Sequence, residues 1–449
     1  MRFKHKAIIS VIVCMMLTLT SCSGIFADPK TLMKPPKAVG SLSGIEDALY
    51  SAVGTDIEFV YPSSGEFRAS CISKDIDGDK TDEAIVFYNL TSNYSAVHIN
   101  FLKKIDGQWR SIYDMPIPGI GVERVEFWDI AGDSAFEIFV GSNMYNAREK
   151  QLSVYSLDNN TVTLRTQEPY TAYSVCNLTG NEKPQLLLLS INTTTKNDFE
   201  TDTAQTVQKS ATAKLISLIE GGTVVMGTVD MDPNITEFAS ITQSKVSAHL
   251  NGAYIDAYKG SSVMVTELIY YNQNKLYSAF YNSVLGETDL TYREAPVSSR
   301  DIDLDGRIEI PQLYAVPGYE LSDAQNKIYY TVWKRFDGTY NTVMTSVFNV
   351  SDGYLIKLPE NWSSNVTITR VTDEKLRVFS QWDFDNQVAG EQLFSIQVFS
   401  SKSWEENAHE GFRELISKNG SVYAVKINEN AVSEYKLSYD YIAENFKLL

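Results

Sequence analysis

Asp75-Ile76-Asp77-Gly78-Asp79-Lys80-Thr81-Asp82-Glu83 is the stretch that decides the fold, and a close copy returns as Asp301-Ile302-Asp303-Leu304-Asp305-Gly306-Arg307-Ile308-Glu309. Both place carboxylates at loop positions 1, 3, 5 and 9. Both then run directly into an apolar, strand-like segment, Ala84 to Tyr88 and Ile310 to Tyr314. Oxygen atoms at alternating positions of a tight loop can converge on a hard cation such as Ca²⁺. The same carboxylates can instead cap backbone N–H groups in Asx-turns without any ion, and the residues alone leave both readings open. An EF-hand is disfavoured, because its twelfth position requires Glu and is Val86 or Gln312 here.

Weaker copies lie between the two. Asp129 to Glu137 keeps positions 1, 5 and 9 with Ala131 at position 3. Asn177 to Gln185 keeps the shape with neutral side chains, and Asp230-Met231-Asp232-Pro233-Asn234 is fainter, its Glu237 one residue out of register. The starts are separated by 54, 48 and 53 residues from 75 to 230. A period of that size, with strand-like segments flanking each loop, marks a repeat of supersecondary units. Four short strands per unit is what a propeller blade needs. Aromatic residues make up 12% of the chain, which suits half-buried pleated surfaces.

Outward from the loops, Ile45 to Val53 has helical spacing, and segments from about Arg68 to Asn349 read as strands joined by turns such as Asp106-Gly107 and Asp337-Gly338. Residues 192–212, rich in Thr, Asp, Asn and Lys, read as an exposed loop. After about residue 350 the pattern alternates. Strands are expected at 354–358, 366–371, 393–399 and 422–427, and helices at 405–417 and 440–446, as in a smaller α+β module.

The repeat loops resemble those of the FG-GAP/VCBS β-propellers, the group that includes the integrin α-subunit head. The resemblance is strongest at 75–88 and 301–314 and covers most of 45–350. It implies a mainly β chain: a propeller of six or seven blades over 44–350, followed by a small α+β module over 351–449. It also implies structural Ca²⁺ held by Asp75, Asp77, Asp79 and Glu83 with the Thr81 carbonyl. The second set would be Asp301, Asp303, Asp305 and Glu309 with the Arg307 carbonyl. Glu at position 9 departs from the commoner Asp.

The N-terminus carries an address. Arg2, Lys4 and Lys6 precede an apolar run from Ala7 to Thr20, the pattern of a signal peptide over residues 1–21. Leu19-Thr20-Ser21-Cys22 resembles a bacterial lipobox, which makes Cys22 the lipidated residue and 22–43, with its Lys and Pro residues, a tether. The expected location is the outer face of the cell membrane, in an organism similar to the Gram-positive bacteria whose VCBS-repeat lipoproteins the chain resembles. Net charge is −17 and becomes −20 once those three basic residues are removed, which argues against a nucleic-acid partner. Cys71 and Cys176 fall in the first and third units and read as small buried residues, with a disulfide not excluded in an exported protein.

Nothing in the sequence assembles a catalytic site. His98, His249 and His409 lie in unrelated contexts, and no GxSxG or Gly-rich phosphate loop is present. The balance leans against an enzyme. Trp109, Trp128 and Trp333 read as packing residues of strands, Trp362 and Trp404 as packing of the last module, and Trp382 has no evident context. The reading reached is a calcium-stabilised, membrane-anchored binding, adhesion or scaffold module with a glycan or protein ligand. Its alternative is a cell-surface enzyme or accessory protein acting on glycans or cell-wall polymers.

Overall fold

Strand Glu83–Leu90 shows how the chain builds its core. It is buried on both faces because it lies between two layers. Ala84, Val86 and Tyr88 meet helix α1 (Ser41–Val53) through Ile45 and Leu49. The alternate residues, Ile85 and Phe87, meet Val125, Ile138 and Val140 of the next sheet. Side chains of a strand alternate between faces, so an unbroken apolar run is the signature of such a sandwiched strand.

This computed structural model describes residues 41–145, 148–181, 183–196, 206–219, 222–406, 409 and 411–449. The expected signal peptide and Cys22 lie outside the described residues. Helix α1 takes in 41–43, the last part of the expected tether.

The protein is mainly β, and the described residues form six antiparallel sheets and no closed barrel. The first holds Ile57–Phe59, Cys71–Lys74, Glu83–Leu90, Asn93–Ile105 and Gln108–Pro116. The next three are plain four-stranded meanders spanning residues 121–170, 172–231 and 237–278. The fifth runs through Ile310–Ala315, Tyr329–Phe336, Tyr340–Asn349 and Tyr354–Leu358, and adds Phe446–Leu448 at its edge. The sixth is built from residues 366–427.

Apolar clusters join the sheets in chain order. Ile72 and Phe101 pack with Tyr155, Phe139 with Leu186, Leu187 with Ile255, Tyr254 with Ile310, and Tyr330 with Ile368 in successive clusters. Among the described residues no such cluster joins the sixth sheet to the first, whose outer face carries α1.

Three expectations are corrected. Residues 192–196 and 206–212 extend a hairpin, with Asn192 opposite Ser210 and Lys196 opposite Thr206. Its polar Thr-rich composition suggested a loop, yet β-branched Thr is a good strand former. The break at 350/351 is crossed by pairing of Tyr340–Asn349 with Tyr354–Leu358 around the left-handed Gly353, so the fifth sheet takes in the start of the expected C-terminal module. Among the described residues, the rest of that module is a five-stranded sheet with two short α-helices, α2 (Ser401–Glu406) and α3 (Tyr439–Asn445), and one 3-10 turn at Glu360–Trp362. The expected helix at 405–417 is instead mostly the strand Phe412–Lys418, folded against Ser421–Ile427 through Asn419-Gly420. Both turn residues have positive φ, the geometry for which Asn-Gly is selected in hairpins.

Candidate functional site

The four repeat loops share one construction. Position 9 accepts the backbone N–H of position 2 in every case: Glu83 from Ile76 (3.0 Å), Glu137 from Ile130 (3.1 Å), Gln185 from Leu178 (3.0 Å) and Glu309 from Ile302 (3.0 Å). The position-2 side chains Ile76, Ile130 and Leu178 are buried as plugs. Position 4 is left-handed throughout, at Gly78, Gly132, Gly180 and Leu304. In the first, second and third sheets the loop connects the outer strand to the next; in the fifth it leads into the first strand, Ile310–Ala315, with only the isolated Arg300–Glu309 bridge across its base. The fourth sheet has a tight hairpin there, Ser247 opposite Leu250. The faint candidate at 230–234 lies in the connection from the third sheet to the fourth, where Asp232 N–H is accepted by Glu267 and not by Glu237.

Hydrogen bonds tie some of the loops to their neighbours. The Phe136 N–H donates to the Ile76 carbonyl (2.7 Å), and the Arg307 guanidinium reaches the Val246 carbonyl (2.6 Å). In the two fully acidic loops, carboxylate oxygens of Asp75, Asp77 and Glu83 lie within 4.8 Å of one another, as do those of Asp301, Asp303 and Glu309. Two acidic triads able to hold a metal ion are therefore present, as the sequence led one to expect.

Most of their oxygens are divided between two tasks, the exception being Asp75 Oδ1, which is buried without a hydrogen-bond partner. In the first loop, Asp77 Oδ1 accepts from Asp79 N–H (3.2 Å), Asp79 Oδ1 from Thr81 N–H (2.7 Å), and Asp75 Oδ2 from Lys80 N–H (3.1 Å). The remaining oxygens of Asp77, Asp79 and Glu83 surround Lys103 Nζ, with Asp79 Oδ2 at 3.1 Å and Glu83 Oε1 at 3.2 Å. In the second loop, one oxygen each of Asp303, Asp305 and Glu309 caps the backbone. The other three meet Arg335, at 2.9 Å for Asp303 and Asp305 and at 2.6 Å from Nε to Glu309.

Burial favours the neutral form of a carboxyl and raises its pKa. Burial accordingly pushes Glu83 and Glu309 above the ordinary carboxylate range. Burial works against the Lys103 ammonium, but its hydrogen bonds to Asp77, Asp79 and Glu83 hold it above the ordinary lysine range. As they stand, three side-chain oxygens in each loop face a side-chain cation, which a metal ion there would have to displace. A side-chain cation occupies the point on which the free oxygens converge.

Neither Lys103 nor Arg335 stands out in the sequence, because each belongs to a strand rather than to a loop. Pairing of Ala84 with Leu102 and of Ile310 with Lys334 sets them opposite Glu83 and Glu309.

The tryptophans divide differently from expectation. Trp333 and Trp362 are buried in core. Trp128, expected to pack, is 42% exposed and donates to Glu126. Trp404 stacks on His409, and His98 Nδ1 contacts Asp114 Oδ1 at 3.1 Å. Cys71 and Cys176 are free thiols, pushed up by burial to about 11 and about 12.

Trp382 now has a context. It borders a cleft of about 440 Å³ between the fifth and sixth sheets, shared with Tyr314, Phe384, Glu320 and Gln387. Tyr314 is 47% exposed and Phe384 57%. Gly318, at φ +90°, lies beneath the indole, and a Cβ there would stand 2.6 Å from the ring. Only glycine allows the loop after Ala315 to press so closely on Trp382.

No family model matches the chain, and no curated protein does. Among solved structures it is similar to one described as the exotype rhamnogalacturonan lyase YesX, at 11% identity and a TM-score of 0.31. The match covers 82% of this chain and 90% of that one. A likeness of that size carries no argument about activity.

Proposed function

We propose that the chain is a surface-tethered, non-catalytic binding module that takes carbohydrate in the Trp382 cleft. The observation that carries this is the grouping of Tyr314, Trp382 and Phe384 around an open, polar-edged cleft. Flat aromatic faces bury the apolar C–H face of a sugar ring. Neighbouring Glu320 and Gln387 supply acceptors and donors for its hydroxyls. Sites of this kind combine an apolar floor with a few placed polar groups.

An FG-GAP/VCBS-type propeller is part of the same proposal. Its support is the set of six antiparallel sheets packed in chain order among the described residues, with four similar loops. Attachment through Cys22 to the outer face of a bacterial membrane rests on the lipobox alone. Calcium at the acidic loops is the finer reading that the resemblance carries, and Lys103 and Arg335 oppose it.

A screen of the purified protein against neutral and acidic polysaccharides tests the binding reading, followed by calorimetry on any hit. Phe384→Ala and Tyr314→Ala, both at exposed positions, should each weaken binding about tenfold or more, since base-to-aromatic stacks of similar size are worth ~1–3 kcal/mol. Binding that ignores both substitutions, or no binding to any polysaccharide, would sink the proposal.

A further inference from the structure

We infer that Lys103 and Arg335 are resident cations of the two acidic loops, standing where the resemblance places Ca²⁺ and making those loops metal-independent. Three observations converge on this. First, the oxygens of Asp77, Asp79 and Glu83 that do not cap the backbone all turn to Lys103 Nζ. Those of Asp303, Asp305 and Glu309 turn likewise to Arg335. Ca²⁺ takes six to eight oxygen ligands, and here three of the side-chain oxygens it would need in each loop are engaged by a nearby fixed positive charge, while Asp75 Oδ1 in the first loop is buried without a partner.

Second, the cation follows the acidity of the loop. The position facing loop position 9 is Lys103 or Arg335 where all four acidic positions are filled. It is Ser156 opposite Glu137, whose loop lacks the third acid, and Ser217 opposite the neutral Gln185. Third, the neutral loop closes without any cation. Gln185 Nε2 itself donates to Thr179 Oγ1 at 2.9 Å, filling with an amide the place that an ammonium or guanidinium takes elsewhere. The repeat thus occurs in three forms, and a side-chain donor is seen in the two fully acidic loops and in the neutral one.

The test is Ca²⁺ binding by equilibrium dialysis, with thermal melting in chelator and in about 1 mM Ca²⁺, the weak end of affinities for extracellular modules. Full-length protein is compared with Lys103→Met and Arg335→Met. The expected result is no binding and no melting shift in the parent chain, and one Ca²⁺ gained per substitution, each gain accompanied by a rise in melting temperature on adding the ion. Loss of a merely structural lysine would lower stability without creating a Ca²⁺ site. Two results overturn the inference. One is Ca²⁺ binding by the parent chain that Asp77→Asn or Asp303→Asn abolishes. The other is a variant that retains its circular-dichroism spectrum yet binds no Ca²⁺. Where a variant fails to fold, the parent chain's own response to chelator decides: a fall in melting temperature overturns the inference, and an unchanged one upholds it.

Discussion

Removing the Asp256 carboxylate should be among the most damaging single changes in the chain. Residues 279–309 leave the fourth sheet as a long excursion without a regular strand, and Arg293 anchors it. The guanidinium is 1% exposed and Asp256 2%. Arg293 Nη2 donates to Asp256 Oδ1 at 2.8 Å, and its other nitrogens reach Thr266 Oγ1 and the Thr291 and Val297 carbonyls. Asp256 also accepts from the Ser299 N–H and hydroxyl, each at 2.8 Å, and from Thr266 Oγ1 at 2.7 Å. Asp256→Ala leaves a buried cation without its counter-charge, a change that costs about 3–5 kcal/mol.

An unfolding entropy of about 2.1 cal/mol/K per residue, taken over 449 residues unfolding together, gives a fall of about 3–5 °C in melting temperature. Differential scanning calorimetry reads this directly. Limited proteolysis should also show faster cleavage near Val284 and Leu285, which are exposed in that excursion. Adding Arg293→Met to Asp256→Ala removes the stranded charge, so the double variant should lose at least about 1 kcal/mol less than the two single losses combined. A fall below about 1 °C, or strict additivity of the two changes, would refute the assignment of this pair as the anchor.

Gly141→Ala should destabilise by about 1–3 kcal/mol through overpacking. The new Cβ would collide with Tyr170 Oη and come 2.9 Å from Glu123 Oε2; Tyr170→Phe in the same chain should restore part of the loss in a urea titration. Burial holds Glu267 above the ordinary carboxylate range, with Asp232 adding to the rise, while its hydrogen bonds from Thr288, Asp232 and Ser278 work the other way. Its folded state therefore binds the proton more tightly than the unfolded chain, so its contribution is full below the unfolded pKa and is lost as pH rises through the folded one. Glu267→Gln should remove that slope and leave the protein more stable than the parent near neutral pH, as read by urea midpoints at several pH values. Leu304 sits at φ +67° and is 78% exposed, so Leu304→Gly should relieve backbone strain and gain up to about 1 kcal/mol; an unchanged or lower denaturation midpoint would count against strain at that position.

Much of the architecture was legible because it depends on local patterns. Apolar runs such as Ala84 to Tyr88 can be satisfied only between two layers, and the D-x-D-x-D loops must turn sharply before such a run. Those features located four loops and most strands of five sheets. The misreadings share a cause as well. Thr-rich 192–212 and the Phe412–Lys418 strand have side-chain patterns compatible with other structures, and pairing with a partner strand decided them.

Taken alone, the sequence determined the loop shape and its acidic positions, since both are written within nine consecutive residues, and the recurrence of that loop along the chain. Tertiary structure alone decided what those acids face. Lys103 lies twenty residues beyond Glu83, and Arg335 twenty-six beyond Glu309; only antiparallel register brings each across to its loop. The Trp382 cleft was equally invisible, because Tyr314 and Trp382 belong to different sheets and meet only where the fifth packs on the sixth. Charge balance and cleft shape are properties of neighbours in space, and a linear pattern records neighbours in sequence.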